Sequence, residues 1–228
     1  VSDMIYDKSP QTLLFVDAIS SFGGTEIRFD DWKIDVIVTG SQKCLNAPQG
    51  CPLVCYSERA INRMNSIKSK TFYFSMALEN NPEYLFVRAL DDLFTYMLER
   101  GLDNIYMEHY TAAKAVREGL KTLGLSYMAE ESIASPSTTR IVFPEALQKR
   151  INDDRVEKGI DHDIVTKIMK DEYGVCIAED RIGTMGYYTR REDIIRTIKA
   201  LSATLNDLGY SNNVDDAISA VNNIFGIQ

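Results

Sequence analysis

The first part of the chain alternates short apolar runs with polar, glycine-bearing loops. Thr12 to Val16 is a run of strand length closed by Asp17, as expected of a parallel strand buried on both faces. Asp35-Val36-Ile37-Val38 gives the next strand, and Pro52 to Tyr56 a third. Residues 3–9 read as the end of a helix, broken at Ser9-Pro10 because the residue before a proline disfavours helical backbone. Ser20-Ser21-Phe22-Gly23-Gly24 is a loop with two permissive glycines, and residues 30–33 are a short helical turn. Ser57 is an N-cap with Glu58 in the first turn of the helix it opens.

Helical spacing then takes over. One long helix is predicted from Pro82, at its first position, to Arg100, with Gly101 as its cap. A second runs from Asn104 to Leu123 and stops at Gly124. Leu125 to Met128 and Thr139 to Phe143 read as strands around a Ser135-Pro136-Ser137 loop. Asp161-His162-Asp163 caps a helix over 164–173, and Val175 to Ala178 and Arg181-Ile182-Gly183 are short strands. Helices over 192–208 and 215–225 close the pattern. A parallel α/β part thus precedes an α+β part. The expected division is 1–81 for the larger, mainly parallel sheet domain and 82–228 for a linking helix and a small C-terminal domain.

Composition adds exclusions. The 228 residues carry a formal net charge of −8, which argues against a nucleic-acid binder with its clustered basic surface. No apolar run reaches the roughly 18–20 residues that cross a bilayer, so no membrane association is expected. No signal peptide is visible, and a cytoplasmic location is expected. Position 1 is Val, and the chain opens as if upstream sequence were missing. Cys44, Cys51, Cys55 and Cys176 match no zinc spacing and read as reduced thiols. His109 and His162 stand far apart, so no metal site is expected.

The segment Thr39-Gly-Ser-Gln-Lys-Cys-Leu-Asn-Ala-Pro-Gln-Gly50 puts Lys43 just past a buried strand, where a doubly wound sheet places its ligands. A lysine desolvated at such an exit becomes available as an amine nucleophile and can bond a carbonyl carbon. Asp17, at the end of the neighbouring strand, can keep a pyridinium nitrogen protonated. The pair satisfies the least requirement of a pyridoxal-phosphate site. The pattern alone is equally that of many α/β proteins with an Asp and a Lys on adjacent strand ends.

The residues themselves carry more. Val16-Asp17-Ala18-Ile19-Ser20-Ser21-Phe22-Gly23-Gly24, followed by Asp35 to Gly50, resembles class V aminotransferases of fold type I, within them the alanine–glyoxylate and serine–pyruvate group. The resemblance runs to about residue 208. It implies pyridoxal 5'-phosphate as cofactor, with Lys43 forming the internal aldimine and Asp17 pairing with the pyridine nitrogen. Ile19 would pack on the ring face, and Gln42 would hydrogen-bond the phosphate. Gln42, where the related desulfurases have His, points to transamination. Arg181-Ile182-Gly183-Thr184-Met185-Gly186 resembles the family's Arg-Ile-Gly-x-Met-Gly motif, and Arg181 would clamp the substrate carboxylate as a planar fork.

The resemblance also implies absences. The family's N-terminal part, with its Gly-rich phosphate loop and ring-stacking aromatic, has no counterpart here. The stretches after Phe74 and after Ala178 are short against the family pattern. The expected function is transfer of an amino group from alanine or serine to glyoxylate or pyruvate, by a homodimer. Phosphonate transamination is one alternative, and a truncated, non-catalytic fragment is another.

Overall fold

A computed structural model describes residues 1–67, 84–157 and 164–226. The Phe72–Phe74 cluster, Pro82 and the Asp161-His162-Asp163 cap lie outside the described residues. In the first part, β1 (Phe15–Asp17) runs parallel to β2 (Val36–Gly40), with Phe15 opposite Val36 and Asp17 opposite Val38. β3 (Pro52–Tyr56) returns antiparallel along the other edge of β2, so the described sheet is mixed.

The expectation of a strand over Thr12 to Val16 buried on both faces needs correction. β1 pairs over only three residues, and Phe15 is 67% exposed. The first cause is positional: β1 is the outer strand of the sheet that the described residues form, and side-chain alternation turns Phe15 and Asp17 to the same exposed face. The second is Asp35, whose buried carboxylate takes the Leu14 N–H at 2.8 Å and so replaces a strand partner there. The same carboxylate accepts the Ser57 hydroxyl at 3.0 Å, and Ser57 Oγ in turn accepts the Ala60 N–H at 3.1 Å. Ser57 therefore caps α2 (Glu58–Asn65), as the sequence predicts. Arg59 Nε lies 3.2 Å from Asp35 Oδ1 without an aligned hydrogen bond, and its guanidinium stacks 4.2 Å from the Tyr6 ring of α1 (Ser2–Lys8).

Two small cores hold this part. Ala18, Ile34 and Ile37 gather with Val16, Phe22 and Phe29. α3 (Tyr84–Arg100) brings Leu90 and Met97, at helical spacing, onto Leu45. α4 (Leu102–Thr122) follows after Gly101. The chain forms two compact units, Val1–Ile105 and Tyr106–Gln228.

The second unit is an antiparallel sheet with helices. β4 (Ser126–Tyr127), β5 (Thr138–Val142) and β6 (Arg181–Gly183) lie in that order. Its core runs from Ala112, Val116 and Leu120 of α4 through Ile141 and Ile182 to four further helices. These are α5 (Glu145–Glu157), α6 (Ile164–Asp171), α7 (Arg191–Asp207) and α8 (Val214–Ile224). α7 contributes most, with Ile194, Ile198, Leu201 and Leu205 on one buried stripe. The apolar pattern does not predict α5, because only Leu147 and Ile151 among its described side chains point inward, too few to set a period. The strand expected over Val175–Ala178 is not one. The Val175 N–H is drawn back to Met169 O at 2.9 Å, closing α6, and only Ala178 makes an isolated bridge, to Arg181.

Candidate active site

The lysine loop is built by pinning every second or third residue and leaving the rest outward. β2 ends at Gly40. Ser41 is fully buried; its N–H donates to Cys51 O at 3.2 Å and its hydroxyl to Pro48 O at 2.6 Å. Those bonds fold the 41–48 segment on itself, and Ala47 N–H closes it on Ser41 O at 2.8 Å. Cys44 and Leu45 turn inward. The Cys44 thiol donates to Ser20 O at 3.2 Å, and burial pushes it up to about 12. Leu45 packs so closely on the preceding loop that a Cβ on Gly23 would stand 3.0 Å from its Cδ2, and Gly23 has φ +87°, which only glycine adopts freely. Between these anchors Gln42 is exposed and Lys43 half-buried. The Lys43 amine has no ion pair or hydrogen bond to a described residue.

Asp17 stands at the corresponding end of the next strand. Ala18 N–H donates to Val38 O at 2.9 Å, and Thr39 Oγ1 donates to Ala18 O at 3.2 Å, so the two parallel strand ends are locked together. Asp17 Oδ1 accepts the Ile19 N–H at 2.9 Å, which fixes the carboxylate, while Oδ2 has no hydrogen bond among the described residues. Ile19 is 39% exposed. Asp35 makes the contrast: its carboxylate is consumed by Leu14, Ser57 and Arg59 and is a structural group. The structure thus brings Asp17, Ile19, Gln42 and Lys43 to one end of one pair of parallel strands, the place where open α/β sheets bind ligands.

Arg181 lies in the second unit. It opens β6 opposite Arg140, and it is exposed, with no ion pair to a described residue. Arg140 is different, since its Nε donates to Asp180 at 2.7 Å. Arg181 borders a pocket of about 590 Å³ within this unit, together with Ile177, Met185, Tyr188, Asp193 and Arg196. Thr184, in the motif but given no role from sequence, is buried; its N–H and hydroxyl donate to Ser137 O and Pro136 O, each at 2.9 Å. Sequence reasoning also passes over Ser41, whose signal is its place two residues before the lysine. Among the described residues no cluster of His, Cys, Asp and Glu could hold a metal ion, and no helix is long and apolar enough to cross a membrane.

The sequence matches the class-V aminotransferase family over residues 2–152. It is 32% identical over 191 residues to the pyridoxamine–pyruvate transaminase of Mesorhizobium japonicum, covering 78% of this chain and 45% of that protein. It is 27% identical over 225 residues to the alanine–glyoxylate aminotransferase of Oryctolagus cuniculus, covering 87% of this chain and 54% of that protein. The crystal structure of the pyridoxamine–pyruvate aminotransferase of Mesorhizobium loti superposes with a TM-score of 0.83 at 27% identity, over 99% of this chain and 59% of that one. The chain belongs to the class-V aminotransferases, of fold type I, and it spans about half the length of the curated relatives it matches. Pyridoxal 5'-phosphate is the cofactor that this membership implies. The donor set fits it: an amine for the aldehyde, a carboxylate oxygen left without a partner for the ring nitrogen, and an exposed amide for a phosphate oxygen.

Proposed function

We propose that this chain carries the lysine-bearing part of a pyridoxal-phosphate-dependent aminotransferase that moves an amino group from a small amino acid, alanine or serine, to a 2-oxo acid, glyoxylate or pyruvate. The observation that carries the reading is that Lys43 and Asp17 share one end of a parallel strand pair while the fold uses up neither the amine nor Asp17 Oδ2. When bound, pyridoxal phosphate supplies an aldehyde that takes up amines and a ring that accepts electrons from the substrate carbon. Lys43 Nζ would hold the cofactor through its aldehyde carbon and, freed by the substrate amine, would be the base that takes the proton from the substrate α-carbon and delivers it to the cofactor carbon. Asp17 keeps the ring nitrogen protonated, so that the ring draws electrons. Gln42 donates its amide to the phosphate, Ile19 packs against the ring face, and Arg181 pairs with the substrate carboxylate through two parallel N–H groups. A homodimer in the cytoplasm is the assembly and location we propose with it.

A second reading has its own support. The relative at 32% identity is named for pyridoxamine and pyruvate, which would make pyridoxamine the amino donor. A donor panel of alanine, serine and pyridoxamine, each with pyruvate or glyoxylate, separates the two. For the reading as a whole, the full-length protein should be yellow, and Lys43→Ala should lose the visible absorbance and turnover together. An unchanged spectrum in that variant sinks the assignment of Lys43.

A further inference from the structure

His109 is a buried titratable group to which the proposed function gives no work. It lies on α4 at 2% exposure, and its Nε2 accepts the Gly186 backbone N–H at 3.2 Å, a contact spanning 77 residues of sequence. A backbone N–H can only donate, so Nε2 offers its lone pair and the ring carries its proton on Nδ1. Gly186 is the last residue of the Arg181-Ile-Gly-Thr-Met-Gly motif and has φ +59°, a left-handed turn that other residues adopt at a cost.

That turn is one of four fastenings on the strand that presents Arg181, the backbone bridge between Ala178 and Arg181 being another. β5 holds β6 edge to edge, with Arg140 opposite Arg181 and Thr138 opposite Gly183. Thr184 bolts the strand's exit to the 136–137 loop through two bonds of 2.9 Å. His109 ties the Gly186 turn, two residues beyond Thr184, to α4, the helix that also lends Val116 to the pocket beside Arg181. Filling the volume under the turn needs no imidazole, since an apolar residue of that size would do it. Accepting a fixed N–H does need one, or another acceptor of the same reach. Left without an acceptor, this half-buried N–H would loosen the turn, because the group would seek water instead.

We propose that His109 is a positioning residue: its acceptor nitrogen fixes the Gly186 turn and, through it, the place from which Arg181 meets the substrate carboxylate. The proposal rests on the role of Arg181 under the proposed function. Its test uses the full-length enzyme, steady-state kinetics with the amino-acid donor, and amide hydrogen exchange. Arg181→Gln should raise KM for the donor about tenfold or more, as expected for a lost charge-assisted hydrogen bond. His109→Leu keeps the volume and removes the acceptor; it should raise the same KM about tenfold with a smaller change in kcat. It should also speed exchange at the Gly186 amide about tenfold while Leu201 and Leu205 on α7 exchange as in the parent. His109→Gln, whose amide oxygen reaches about as far as Nε2, should restore both values to within about threefold. His109→Asn, too short to reach, stands in for His109→Leu should the latter not fold, with the same outcome expected. If Arg181→Gln leaves KM alone, the role of Arg181 falls and this proposal with it. If Arg181→Gln acts but the Leu and Asn variants do not, or Gln at 109 behaves as they do, His109 is a packing residue and the role of Arg181 stands.

Discussion

Neighbouring residues of the lysine loop have opposite fates, and the difference is chemical. Lys43 is left half-buried with its amine unpaired among the described residues, whereas Cys44 is 4% exposed, donates to Ser20 O and is held protonated to about pH 12 by burial. A thiolate is the form that reacts with alkylating agents. With iodoacetamide at about pH 8, Cys55 and Cys176, both exposed, should be modified in the native protein, and Cys44 should be modified only after denaturant is added. Peptide mass spectrometry reads this directly; native labelling of Cys44 would show that the loop does not hold the thiol as described. The two fates are unequally legible. Lys43 announces itself because an apolar strand, small residues and a Pro-Gln-Gly end frame it. Nothing in the sequence marks Cys44 as inward, since a single cysteine in a polar loop has no period to read. His109 is silent for a related reason: its partner is a backbone N–H 77 residues away, and such pairings leave no trace in local pattern.

Whole elements are legible where short-range chemistry sets them. Ser57 and Glu58 give away the start of α2, and the apolar spacing of α7 gives its buried face. The extent of β1 is not legible in the sequence, because the Asp35 side chain takes the Leu14 N–H where a strand partner would stand. The clasp between α4 and the short 3₁₀ turn Glu131–Ile133 is likewise invisible. There Arg117, 1% exposed, meets the Glu131 carboxylate at 2.8 and 3.0 Å, and the Tyr127 hydroxyl donates to the same carboxylate at 2.7 Å. The Arg117 hydrogen bond is the main reason that the Glu131 carboxyl falls from 4.5 to about 2. A depressed carboxylate contributes stability that is complete above its unfolded value and is lost as pH falls through its folded one. Glu131→Gln should therefore cost about 1–3 kcal/mol near neutral pH by leaving a buried guanidinium poorly matched. In urea unfolding at a series of pH values, the gap between parent and variant should shrink between about pH 4.5 and about pH 2. A gap that stays constant through that window would mean that Arg117 and Glu131 are not coupled as the distances indicate.

At the scale of the whole molecule, the apolar residues are divided unevenly. In the first unit the described buried residues fall into two small clusters, around Leu45 and around Ile37, and β1 leaves Phe15 exposed. The helix α1 has no buried residue at all. The second unit gathers α4, α5, α6, α7, α8 and the sheet around one continuous core, with Val116, Leu120, Ile198, Leu201 and Leu205 at 0% exposure. A domain of this size with a single core has what independent folding requires. Residues 102–228, cut so that α4 stays whole, should therefore unfold in urea as one cooperative transition with coincident near- and far-ultraviolet circular dichroism. Leu201→Ala in that segment should lower its stability by about 2–5 kcal/mol, because the site is fully enclosed and can collapse only in part. Non-coincident transitions, or a Leu201→Ala effect near zero, would show that the continuous core does not organise the unit. The same division bears on the chemistry. Lys43 and Asp17 stand at strand ends held by hydrogen bonds such as those of Ser41 and Thr39, whereas Arg181 stands in the unit with the continuous core. Substitutions in the second core should then move stability first, while substitutions at Ser41 should move the lysine first.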